Sequence, residues 1–98
     1  MERQTIQYNG KTYKLPFNVP KYFMGTDLVN AQHHFTDEIV QVPRFVLGVR
    51  NGILYYEYNA SLEDKRLGDG GSKLWDNVRK GLNWFRQYFA KEYMDLLD

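Results

Sequence analysis

The chain has 98 residues, 43% of them hydrophobic and 16% aromatic, with 13 Lys plus Arg set against 12 Asp plus Glu. That length makes one domain, residues 1–98, and not two. Near-balanced charge argues against a dedicated duplex binder, whose non-specific affinity comes mostly from neutralising phosphates, and the lack of cysteine excludes disulfides, thiolate zinc sites and thiol catalysis.

Met1-Glu2-Arg3-Gln4 is not followed by an apolar run, so neither a signal peptide nor a membrane span is expected, and a cytoplasmic location follows. Thr5 to Leu15 is expected to form a β-hairpin, because Asn9-Gly10 suits a type I′ turn, which needs φ > 0 at both central residues. A two-residue loop there sets Ile6 opposite Tyr13, Tyr8 opposite Lys11 and Gln4 opposite Leu15. One face then holds Ile6, Tyr8, Tyr13 and Leu15, and the other Thr5, Gln7, Thr12 and Lys14. Pro16 ends the second strand. Asn18 to Gly25 predicts a short helical turn, with Asn18 as cap, Pro20 in the first turn and Gly25 left-handed at its close. Between Thr26 and Glu38 the pattern is weak, and a short helix capped at Thr26-Asp27 and running through His34 is the expectation.

A second hairpin is expected around Asn51-Gly52. Ile39 to Val42 is apolar, Pro43 interrupts, and the strand resumes over Arg44 to Arg50 before turning into Ile53 to Tyr58. Pairing Val49 with Leu54, Leu47 with Tyr56 and Phe45 with Tyr58 makes an apolar face and places Arg44, Arg50 and Tyr55 on the opposite one. Asn59 to Ser72 is polar and ends in Gly68-Asp69-Gly70-Gly71; Lys65-Arg66-Leu67 could form a short edge strand, but the glycine cluster favours a loop. Ser72 caps a long amphipathic helix over Lys73 to Leu97, since Leu74, Val78, Leu82, Phe85, Phe89, Tyr93 and Leu96 recur at spacings of three and four. The resulting fold class is α+β: a small antiparallel sheet from two Asn-Gly hairpins, packed against a long C-terminal amphipathic helix.

Eight Tyr, six Phe and two Trp are more ring area than one small core encloses, at roughly 150–250 Å² per ring. Some rings are therefore expected on the surface, where Tyr and Trp favour binding patches. Beside the helix core stripe runs a second one, Lys73, Asn77, Lys80, Trp84, Tyr88 and Lys91. An exposed Trp84 and Tyr88 among lysines suit a protein hot spot or a base-stacking platform; the opposing reading is that the two rings widen the core. Arg44, Arg50 and Tyr55 on the outer face of the second hairpin are the next candidates, against plain solvated surface.

His33-His34 with Asp37 and Glu38 lacks metal-ligand spacing, because adjacent histidines point apart. Gly68 to Lys73 precedes a helix but departs from the phosphate-loop spacing. The two serines, Ser61 and Ser72, lie outside a nucleophile-elbow context. No catalytic residue, metal or cofactor is expected, and the chain is not expected to be an enzyme. The functional expectation is a binding protein that docks on a partner protein, an adaptor or small inhibitor of the kind phages and mobile elements encode. Its surface would be Trp84, Tyr88, Lys80, Lys73 and Lys91, helped by Arg44, Arg50 and Tyr55. The alternative is a nucleic-acid-binding module using Arg44, Arg50, Lys73, Lys80 and Lys91; no membrane partner is expected, and self-association through the helix is compatible with both.

Overall fold

In a computed structural model describing residues 4–33, 36–68 and 72–97, strands β1 (Thr5–Tyr8) and β2 (Lys11–Lys14) pair antiparallel about Asn9-Gly10. Both turn residues have positive φ, 51° at Asn9 and 78° at Gly10, as a type I′ turn demands. Ile6 lies opposite Tyr13 and Tyr8 opposite Lys11, and the Leu15 N–H donates to the Gln4 carbonyl at 2.9 Å. Thr5, Gln7, Thr12 and Lys14 face water while Leu15 is fully buried.

The segment after β2 bends at Pro16 and Phe17 and passes over the helical glycines Gly48, Gly52 and Gly81. The Gln4 side-chain amide holds it on both sides of one residue, donating to the Val19 carbonyl at 2.9 Å and accepting the Val19 N–H at 2.6 Å. A single 3-10 turn, Lys21–Phe23, follows. Its cap is Pro20 rather than Asn18, and Gly25 is not left-handed.

Residues 28–32 form strand β3 (Leu28–Gln32), which pairs antiparallel with β4 (Ile39–Pro43). This corrects the expected helix through His34: Val29 and Ala31 point inward while Leu28, Asn30 and Gln32 are exposed, an alternation that only a strand satisfies. His34 itself lies outside the described residues. The two hairpins remain separate two-stranded sheets.

The expected second hairpin does not exist. Arg44–Leu67 is one continuous helix, α1, so the longest helix is central rather than C-terminal. The segment carries two periods at once. Phe45, Leu47 and Val49 alternate as in a strand, yet Phe45, Val49, Ile53, Tyr56 and Ala60 also follow a helical period, and that second pattern runs straight through Asn51-Gly52. Pro43 stands at the start, where its missing N–H is harmless. Strong helix formers, Leu54, Glu57, Ala60, Leu62, Glu63, Lys65, Arg66 and Leu67, dominate the half from Leu54 onward, including the supposed edge strand at Lys65 to Leu67. Gly68, with φ 99°, closes the helix and donates its N–H to the Asp64 carbonyl at 2.7 Å.

The C-terminal segment is two helices, α2 (Leu74–Tyr88) and α3 (Ala90–Leu96), instead of one. They break at Phe89 (φ −138°, ψ 55°). Leaving the helical conformation there buries the Phe89 ring against Tyr13, Phe45 and Trp84, with centroids 5.1–5.6 Å away. Ahead of α2, the Ser72 hydroxyl accepts the Leu74 N–H at 3.1 Å and donates to Glu63 Oε1 at 2.6 Å. Asp64 accepts the Ser72 N–H and the Trp75 indole N–H, the latter at 2.7 Å, so the end of α1 is tied to the start of α2. Among the described residues no helix is long and apolar enough to cross a membrane.

Gly48 and Gly52 in α1 and Gly81 in α2 are packing positions. A Cβ on Gly48 would meet Phe23 Cβ and Val19 Cγ1 at 2.6 Å, one on Gly81 would meet Ile53 Cγ1 at 2.5 Å, and one on Gly52 would overlap the edge of the Phe17 ring at Cε1 and Cζ. Alanine at a helical glycine normally gains about 0.5–1 kcal/mol. At Gly48 the neighbour is a Cβ close to its own backbone, so overpacking of about 1–3 kcal/mol outweighs that gain. Gly48→Ala should therefore lower the urea midpoint; a variant more stable than the parent would disprove the close approach.

Candidate binding groove

A depression of about 820 Å³ runs between β2 with its following segment and the face of α2 that carries Asn77, Lys80, Trp84 and Gln87. Those positions recur at three or four residues and so share one side of the helix. The Trp84 indole is the floor. It is 5% exposed, stacks among Phe45, Phe85 and Phe89, and donates its N–H to the Lys14 carbonyl at 2.9 Å. Of the two readings of Trp84, exposed platform or widened core, the structure shows the core one, and only the bottom of the groove touches the ring. Tyr88 is 47% exposed and forms the rim, edge-on to Tyr13 with centroids 5.4 Å apart.

The chemistry of the walls is uniform. The charged lining residues are Lys14 and Lys80, and four side-chain amides, Asn18, Asn77, Asn83 and Gln87, line the rest with Thr12 and the Phe17 ring. Such a surface offers positive charge for an anionic group and paired donors and acceptors for peptide, hydroxyl or base edges.

The structure brings Lys80, Trp84 and Tyr88 together at this groove, while Lys73 and Lys91 are exposed outside its lining, Lys91 beyond the break at Phe89. Arg44 and Arg50 do not form an outer strand face with Tyr55, since all three are on α1. Arg44 pairs with Asp27 at 2.6 Å and lies over the Tyr22 ring, 4.9 Å from its centroid. The hydrogen bond from Arg44 holds the Asp27 carboxyl below the usual carboxylate range, and the same bond raises the Arg44 guanidinium. Arg50 donates to the Gln32 carbonyl at 2.8 Å and to Asn51 Oδ1 at 2.9 Å, and burial lowers its pKa. Both arginines thus fasten α1 to the segment before β4. Tyr55, 64% exposed, borders a separate apolar hollow of about 410 Å³ over Gly48 and Gly52.

Lys14, Thr12, Asn83 and Gln87 were not among the expected site residues. Lys14 and Thr12 already stood on the outer hairpin face, and Asn77 in the second helix stripe, but the expected packing of helix on hairpin did not set that face of β2 beside that stripe of the helix. His33 accepts the Thr36 N–H at Nδ1, 3.1 Å away. Among the described residues no cluster of three His, Asp or Glu side chains is placed to hold a metal ion, and Asp69 to Gly71 lie outside them. No known protein family matches the sequence, and no curated protein or solved structure is significantly similar to it.

Two outcomes check this geometry. Trp84→Ala should cost about 3–5 kcal/mol in chemical denaturation, the penalty of emptying a packed aromatic site, whereas Tyr88→Ala should stay within about 1 kcal/mol; equal costs would place both rings alike. Asp27 has a depressed folded pKa, so its contribution is present above the ordinary carboxylate range, near pH 4, and is lost as pH falls through the folded value. Asp27→Asn should flatten that acid limb of the stability curve; an unchanged limb would dissociate it from the Arg44 pair.

Proposed function

We propose that this chain is a non-enzymatic binding protein that docks on another protein, as an adaptor or small inhibitor does, through the groove between β2 and α2. The observation that carries this reading is the groove wall itself, where Lys14 and Lys80 sit among four amides and the exposed Tyr88 ring. Amides and lysines are recognition groups, and tyrosine at a rim supplies contact area at low entropy cost. Exposed Tyr22, Tyr55 and Tyr58 leave further ring surface outside the core, although Trp84, first of the expected contacts, serves as a floor and not as an anchor.

A second reading, single-stranded nucleic acid, draws support from the same lysines beside the Tyr88 ring, since bases stack on rings flanked by phosphate-binding charge. Affinity capture from lysate separates the two. The parent chain should retain a defined protein that survives nuclease treatment, and the combined Lys14→Glu and Lys80→Glu variant, still folded by thermal melt, should release it. A retained species that vanishes with nuclease supports nucleic acid, and identical capture by both chains would remove the groove from the function.

A further inference from the structure

We infer that the groove takes a short, acidic, extended segment of the partner as a third strand on the outer edge of β2, an inference that rests on the protein-docking reading above. The backbone register supplies the edge. In a two-residue hairpin the pairs Tyr8–Lys11 and Ile6–Tyr13 exchange hydrogen bonds, so the N–H and C=O of Thr12 and Lys14 point away from β1. The Lys14 carbonyl is occupied by the Trp84 indole N–H. Thr12 N–H, Thr12 C=O and Lys14 N–H lie on the same outward edge, and both residues line the groove. Strand edges of this kind are templates for an added chain.

The opposite wall fits the far side of such a strand. From Asn77 to Gln87 the helix rises about 15 Å, the length of roughly four or five extended residues. Its amides carry both a donor and an acceptor, which is what the outward backbone groups of an added strand require. This molecule already uses a side-chain amide in that way, where Gln4 holds both backbone polar groups of Val19. A helical occupant would satisfy its own backbone and leave Thr12 and the amides without partners. Charge then sets the composition: the charged lining residues are the lysines at 14 and 80, one on each wall, so acidic side chains are favoured.

The test is NMR titration of the backbone amides with a capped hexapeptide of alternating Glu and Thr. Control ligands are the same peptide N-methylated at alternate residues, its Lys-for-Glu counterpart, and a single-stranded oligothymidylate. The expected result is a shift of the Thr12 and Lys14 amides by the Glu-Thr peptide, with N-methylation weakening binding about tenfold at unchanged charge. Lys14→Ala with Lys80→Ala should weaken it at least as much, and the Lys-Thr peptide should leave the groove unperturbed. Equal binding of the N-methylated peptide would overturn strand addition. Silence of all the peptides overturns the inference alone if lysate capture still depends on Lys14 and Lys80, and overturns the docking reading too if it does not. Binding of oligothymidylate in the groove with the peptides silent replaces both by nucleic-acid recognition.

Discussion

The Phe17 ring occupies the space left by Gly52 of α1, shares with Ile53 the space left by Gly81 of α2, and packs edge-on to Tyr56 with centroids 5.0 Å apart. The course of the chain between the first hairpin and the 3-10 turn depends on that close approach. A side chain on either glycine would collide with the ring and so displace the segment that carries it. Gly48 continues the same line one turn away, receiving Val19 and Phe23. Three glycines that cost helix stability locally are retained in two helices because the chain that crosses them needs the room.

Placement of the groove follows from the same contact. Once the crossing segment lies against α1 and α2, β2 is drawn beside the second helix, and the Trp84 indole reaches the Lys14 carbonyl. That bond joins residues 70 positions apart in the chain and closes the floor beneath the lysines and amides. The Phe89 break belongs to the same packing problem, because at the break the ring packs into the cluster formed by Tyr8, Tyr13, Phe45 and Trp84.

Function, on this view, is separated from stability along the length of α2. Val78, Phe85 and the bulk of Trp84 build the core, while Asn77, Lys80, Asn83 and Gln87 line the groove proposed to receive a partner. The two arginines of α1 fall on the structural side of that division, holding the β3 region through Asp27 and Gln32. A buried or partnered guanidinium is poorly suited to capture a ligand, because releasing it leaves carbonyl and carboxylate groups unpaired.

Much of the local structure was legible before any coordinates. Asn9-Gly10 specifies its turn because left-handed φ at both positions suits few other dipeptides, and the alternation on either side settles which rings face inward. The stripe from Leu74 to Phe85 specifies a helix, and Lys80 and Tyr88 were already visible on its shoulder. Asn51-Gly52 misled for a definite reason: the pattern around it satisfies periods of 2 and 3.6 alike, and the glycine serves a packing partner, Phe17, that lies far away in sequence. Whether Trp84 faced water or the core, where α2 would break, and that Lys14 would stand across from Lys80 were decided only by tertiary contacts. Residue type and spacing determine what a segment is able to form locally; which surface it finally covers depends on the chain that packs against it.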